Sequence, residues 1–130
     1  MRVSIRRARG NGPWDNDLHE IETAYLKDGE FLVGEVDDRV VAMGAFKRLD
    51  AETGEIRRIR VEPSEQRRGY GRMILEALEA RALGLGMNHL QLDTTAKQQA
   101  ALGLFRDFGY REVRREAFID SEQIYFEKDL

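Results

Sequence analysis

The chain has 130 residues, 42% of them hydrophobic, with two prolines and no cysteine, which suits one compact domain spanning 1–130. Lysine and arginine number 21 against 24 aspartates and glutamates, a net charge of −3, and this argues against bulk attraction to nucleic acid or an anionic membrane. Without cysteine there is no disulfide framework, thiolate nucleophile or cysteine-based metal site, and His19 and His89 are too isolated to build another, so no metal is expected.

Val3 and Ile5 alternate with Arg2, Ser4 and Arg6, which predicts a first strand with one buried face. The N-terminus lacks an apolar leader core and no stretch approaches the roughly 20 apolar residues of a membrane span, so a cytoplasmic protein with no membrane partner is expected. After Gly10 to Pro13, Asp15 or Asp17 is placed to cap a short helix with Leu18, Ile21 and Tyr25 on one face. Trp14 and Tyr25 read as packing residues rather than the wall of a ligand groove. Phe31 to Val36 and Val40 to Lys47 are strand-like runs joined by a turn at Asp37 to Arg39. A second turn from Asp50 to Gly54 leads into Glu55 to Val61, completing a three-strand antiparallel meander.

The stretch from Glu55 to Gly71 reads strand, turn, helix. Ile56, Ile59 and Val61 favour extended backbone, Pro63 blocks its continuation, and Gly69 and Gly71 punctuate the turn. A helix follows from Tyr70 to about Leu83, with Ile74, Leu78, Ala82 and Leu85 on one stripe. Its N-terminus offers unpaired backbone N–H groups and roughly half a positive charge, which favours an anion. Arg67, Arg68 and Arg72 flank the glycines, and a guanidinium meets a phosphate with two parallel hydrogen bonds; a pyrophosphate site is the reading. The third glycine of a dinucleotide fingerprint is missing, as is the Gly-Lys-Ser/Thr of a P-loop. Six arginines between Arg57 and Arg72 are interleaved with Glu55, Glu62 and Glu65, which makes nucleic-acid binding a minor reading.

Leu90, Leu92 and Thr94 alternate with His89, Gln91 and Asp93. A right-handed crossover places this strand parallel to Glu55–Val61, with Val61 and Asp93 near the carboxyl ends where ligands gather. Lys97 to Phe108 predicts a second helix closed by Gly109, and Arg111 to Ile119 with Gln123 to Lys128 a final hairpin. The edges of that hairpin suit a homodimer, while Arg111, Glu112, Arg114, Arg115 and Glu116 supply the charge that protects an edge in a monomer.

Gln66-Arg67-Arg68-Gly69-Tyr70-Gly71 resembles the Q/R-x-x-G-x-G/A acetyl-CoA motif of the GNAT superfamily of N-acetyltransferases. Upstream, the strand from Glu55 and the Glu65-Gln66 pair resemble the histone-acetylating branch; downstream, Ala101 to Tyr110 resembles the family's A-x-x-L-Y-x-x-x-G-F/Y helix ending. The resemblance implies an α/β (α+β) GNAT fold: a central mixed, mostly antiparallel sheet of about six to seven strands with a parallel fourth and fifth strand and flanking helices. It implies acetyl-CoA as co-substrate and an amine acceptor.

By the same resemblance Glu55 is the general base, acting through water, and the backbone N–H of Ile59 faces the thioester carbonyl. Ile59, Arg60 and Val61 pair with pantetheine, the backbone along Gln66, Arg67, Arg68, Gly69, Tyr70, Gly71 and Arg72 holds the pyrophosphate, and Gln98 contacts the cofactor. The competing reading of Glu55 is a surface carboxylate paired with Arg57 or Arg111. Gly71→Val is expected to abolish cofactor binding and leave the fold intact. Phe105 stands where the family's thiolate-protonating tyrosine usually stands, so the acid is unassigned; Tyr110 is expected to pack, and Tyr25 and Tyr125 stay open. Relatives usually carry two helices before the second strand, so the single short one here implies an open or partner-completed acceptor site. A non-catalytic CoA-binding module, and a protein binding RNA or an acidic partner through its arginines, are the alternatives. The acceptor is not fixed by the fold: aminoglycoside, polyamine, amino acid, or a protein's lysine or N-terminus.

Overall fold

In a computed structural model, which describes residues 3–7, 28–66 and 68–130, seven strands form one sheet. They are β1 (Val3–Arg7), β2 (Gly29–Val36), β3 (Arg39–Arg48), β4 (Thr53–Val61), β5 (His89–Thr95), β6 (Arg111–Ala117) and β7 (Glu122–Asp129). Two aspartates in the left-handed region, Asp37 (φ 50°) and Asp38 (φ 66°), turn β2 into β3, as a two-residue hairpin with right-handed strand twist requires. The spatial order is β1-β2-β3-β4-β5-β7-β6. All pairings are antiparallel except β4 with β5. The parallel step is made by α1 (Tyr70–Gly84), and α2 (Gln99–Asp107) carries the chain from β5 to β6. The predicted helix between β1 and β2, with Trp14 and Tyr25, lies outside the described residues.

Alternation along the strands sends Leu32, Ala42, Phe46, Ile56, Leu90 and Phe126 into one core with Ile74, Leu75 and Leu78 of α1. Glycine decides how closely α1 approaches. A Cβ at Gly44 would stand 2.6 Å from both Ile59 Cδ1 and Ile74 Cγ2 and 3.0 Å from Leu78 Cδ1, so only a bare backbone leaves room for the helix. The other face of the sheet carries Phe31, Val33, Met43 and Ala45, all buried, and further along, by register, Glu55, Gln91, Asp93, Tyr125 and Glu127.

Among the described residues the predicted elements stand, with three differences. Leu85 is exposed rather than part of the apolar stripe, because α1 ends at Gly84 and Leu85 is its C-cap; Leu75 is buried instead. The strand read as reaching Ile119 stops at Ala117, leaving Phe118 and Ile119 exposed in the turn. Val3 is exposed and Ile5 only half-buried, since β1 is an edge strand paired with β2 alone.

Two carboxylates are buried among the described residues, Glu30 and Glu65. Burying a charge is costly unless it is paired, and both are. Glu30 accepts two hydrogen bonds from Arg7, at 2.7 and 2.9 Å, with Arg81 3.8 Å away. A third, partly buried carboxylate, Glu79 on α1, takes hydrogen bonds from Lys128 of β7 at 3.0 Å and from the Tyr110 hydroxyl at 2.9 Å. Burial and then the charge of Glu79 push the Tyr110 phenol well above its ordinary value. Tyr110 packs, as expected.

Candidate active site

The sheet opens at one rung. β4 and β5 pair through Thr53–His89, Gly54–Leu90 and Glu55–Gln91, and there their ladder ends, although β4 runs on to Val61 and β5 to Thr95. Parallel strands that part at their carboxyl ends leave a wedge with backbone on both walls, the place where open sheets take ligands.

A bulge shapes the β4 wall. The β3–β4 register slips between Met43 and Ala45, so that Met43 opposes Arg60 while Ala45 opposes Arg57. Arg58 takes φ 57°, the left-handed conformation that bulges use to absorb an extra residue. The sequence carries a signal for it. Ile56, Ile59 and Val61 cannot share a face in a regular strand of period two, yet one inserted residue puts them on the same side, and all three pack into the helix-side core. Gly44, a lone glycine within β3 opposite the bulge, is the second signal.

Beyond β4, Pro63–Glu65 make a single 3₁₀ turn and the chain enters α1 through Gly69, at φ 84°. No side chain caps this N-terminus, and the first intrahelical bond shown is Met73 N–H to Gly69 O at 3.0 Å. The N–H groups of the first turn therefore remain as donors for an anion. A Cβ on Gly69 would meet nothing within 4 Å, whereas one on Gly71 would stand 2.9 Å from Leu104 Cδ2 and 3.4 Å from Val61 Cγ2. Gly71 thus sits where β4, α1 and α2 come together, and a side chain there would press on the tip of Leu104 and on Val61 as well as on the loop.

On the face away from the helices, Glu55 lines a cleft of about 250 Å³ with Gln91, Asp93, Arg114, Tyr125 and Glu127. The Glu55 side chain is 19% exposed and takes a hydrogen bond from Arg57, so the pairing anticipated by the competing reading is present at a partly buried carboxylate beside the wedge. Asp93 accepts from Gln123 Nε2 at 2.6 Å. The Tyr125 ring lies 3.7 Å beneath the Arg114 guanidinium; Tyr125 is the phenol the structure places in the cleft with Glu55, which spacing alone did not reveal.

The remaining predicted positions that are described lie on β4, in the loop into α1, on the first turn of α1 and at the N-cap of α2. Ile59 and Val61 are half-buried, and Arg60, Gln66, Arg68 and Arg72 are exposed. Arg68 Nη1 is 3.5 Å from Glu65, and the Arg72 guanidinium lies 5.4 Å over the Phe108 ring. Tyr70 is buried, so its contribution to an anion would come through its backbone. Gln98, at the N-cap of α2, is exposed, and Arg67 lies outside the described residues. Phe105 is buried, with ring centroids 6.0 Å from Tyr110 and 6.2 Å from Phe126. Among the described residues no group of three His, Cys, Asp or Glu side chains is placed to hold a metal, and no helix is long and apolar enough to cross a membrane.

The family model for the acetyltransferase (GNAT) family matches residues 4–110. The chain belongs to this family. Among curated GNAT relatives, an IAA acetyltransferase from Azospirillum brasilense is 32% identical over 99 residues, covering 75% of this chain and 64% of the relative. A [ribosomal protein bS18]-alanine N-acetyltransferase from Salmonella typhimurium is 34% identical over 84 residues, covering 63% and 56%. The chain spans between 50% and 64% of the length of the first three curated relatives. Solved structures share the GNAT fold across the chain. Ard1 from Thermoplasma volcanium aligns with a TM-score of 0.85 at 13% identity, covering 100% of this chain and 99% of that one. A GNAT family acetyltransferase from Elizabethkingia anophelis, with acetyl-CoA bound, aligns with a TM-score of 0.77 at 18% identity and 98% coverage of both.

Proposed function

We propose that this single domain transfers an acetyl group from acetyl-CoA directly to a primary amine, with no covalent enzyme intermediate. The observation that carries the reading is the wedge between β4 and β5, opening at the Glu55–Gln91 rung, with β4 leading on through the Pro63–Glu65 turn into the uncapped start of α1. In it, Ile59, Arg60 and Val61 offer backbone along one edge as a strand would to pantetheine. The loop from Gln66 through Arg67, Arg68, Gly69, Tyr70, Gly71 and Arg72 offers N–H donors and guanidinium charge to the pyrophosphate, and Gln98 lies at the start of the helix that follows β5. The thioester supplies an activated acetyl group; the rest is the work of this chain.

An amine attacks only when neutral, and Glu55, at the apex of the wedge and partly buried, takes its proton through water. The N–H of Ile59, re-aimed by the bulge at Arg58, stabilises the negative charge that develops on the carbonyl oxygen. With phenylalanine at position 105, solvent protonates the departing thiolate, whose ordinary pKa of about 8.5, taken from free cysteine, makes this undemanding. The names of the curated relatives point to two kinds of acceptor, a small molecule and a protein α-amine, and both belong in the screen.

The test is thermal unfolding with acetyl-CoA, CoA and ATP in parallel, followed by an amine screen with thiol detection. A ligand at 100 times its Kd adds about 2.7 kcal/mol, so a rise with both CoA species and none with ATP supports the reading. No rise removes it. A rise without thiol release from any amine replaces it with the non-catalytic CoA-binding module.

A further inference from the structure

Glu65 is 6% exposed and charged, in a loop whose proposed ligand is an anion. Electrostatics alone would exclude a carboxylate there, since it cancels part of the positive potential supplied by Arg68, Arg72 and the helix terminus. Its contacts account for its presence. Glu65 Oε1 accepts from Arg39 Nη2 at 2.5 Å, and Oε2 lies 3.5 Å from Arg68 Nη1. Arg39 opens β3, directly after the two left-handed aspartates of the hairpin turn. One carboxylate therefore links the β2–β3 hairpin, distant in sequence, to the loop that enters α1.

A second tie reinforces the first. The Glu62 N–H donates to Val41 O at 2.7 Å, and the Glu65 N–H donates to Glu62 O at 2.8 Å. The 3₁₀ turn is held to β3 by backbone at its start and by the Glu65 side chain at its end. Gln66 and the glycines follow directly after that second tie.

We propose that Glu65 is a positioning residue for the cofactor loop: through Arg39 and Arg68 it fixes where the backbone N–H groups of residues 68–71 converge, and so tunes affinity for the pyrophosphate of CoA without touching it. This rests on the acetyl-CoA reading above. It carries a signed prediction. If Glu65 acted only as a charge, Glu65→Gln would tighten binding of an anion; acting as an anchor, the same change weakens it.

The experiment measures Kd for CoA by calorimetry and for pantetheine, which lacks the pyrophosphate, by ligand-observed NMR. Proteins are the wild type, Glu65→Gln, Arg39→Met and the double variant. The expected result is a Kd for CoA raised about tenfold in each single variant, the size of one charge-assisted hydrogen bond. The double variant should be no weaker than the singles, because both remove the same link, and pantetheine affinity should be unchanged throughout. Arg39 is 61% exposed at its side chain, so its replacement keeps the test open should Glu65→Gln fail to fold. An unchanged or lowered Kd for CoA overturns the proposal, as does an equal loss for CoA and pantetheine, which marks general loosening. Failure of the wild type to bind CoA is a different outcome and removes the acetyl-CoA reading with it.

Discussion

Glu55 and Gln91 form the last rung that β4 and β5 share. A carboxylate fixed at that rung stands where the sheet stops holding itself together and a reaction centre can be housed. Glu55→Gln keeps the size of the side chain and removes its basicity. Turnover with a competent amine is expected to fall by about 10²- to 10⁴-fold, the usual contribution of a general base, with the Kd for acetyl-CoA unchanged. Thiol release under saturating acetyl-CoA checks this, and unchanged turnover across neutral pH would return Glu55 to a structural partner of Arg57.

Gly69 offers a cleaner probe of the loop than Gly71. Its φ of 84° strains any L-residue, yet a Cβ there meets nothing within 4 Å. Gly69→Ala is expected to cost about 1–2 kcal/mol of stability and to weaken CoA binding by shifting the loop. Gly69→Asn, better tolerated in the left-handed region, should retain more of both. Denaturant midpoints and CoA titration of the pair separate strain from lost contact.

Gly44 is the position where α1 and the bulged β4 meet β3. Gly44→Ala places a methyl 2.6 Å from Ile59 Cδ1 and Ile74 Cγ2. The Ile74 methyl is on a β-branched carbon and cannot swing aside cheaply, so about 1–3 kcal/mol should be lost to overpacking. Equilibrium unfolding in urea measures the loss, and weaker CoA binding should accompany it because Ile59 carries the strain.

Alkaline stability should depend on Tyr110. Its phenol is raised in the folded state, first by burial and then by Glu79. The stability this represents is fully present below the ordinary phenol value of 10.0 and is lost as pH climbs above it, because the unfolded chain releases a proton that the folded chain retains. Tyr110→Phe is expected to lower stability at neutral pH by about 1.5–3 kcal/mol through loss of a hydrogen bond to a charged group. The same variant should flatten the decline above pH 10. Unfolding midpoints from pH 7 to 11 compare the two.

Much of this architecture could be read from the chain. The meander, the crossover helix and the glycine-marked entry to α1 follow from spacing and from residues with few backbone options, which act locally. What escaped depends on partners far away. The pairing of Glu65 was not legible, because Arg39 comes to it only once the β2–β3 hairpin forms. Tyr110, Glu79 and Lys128 meet from the turn after α2, from α1 and from β7, and no local pattern joins them. The bulge at Arg58 is intermediate. Its odd apolar spacing was present in the sequence, but its meaning needs the opposing Gly44, and register is a property of two strands. The cleft beside Glu55 is legible only in three dimensions, since Tyr125 and Asp93 become neighbours by pairing β5 with β7.

The sheet is joined across its middle by only three residue pairs between β4 and β5. Mechanically it resembles two panels on a short hinge, one from β1 to β4 and the other from β5 to β7, with α1 and α2 braced against each other where Leu104 meets Gly71. A molecule lying in the wedge would act as mortar along the unjoined length. The proposed pantetheine arm, lying there, would join the two panels along the length that β4 and β5 leave unpaired.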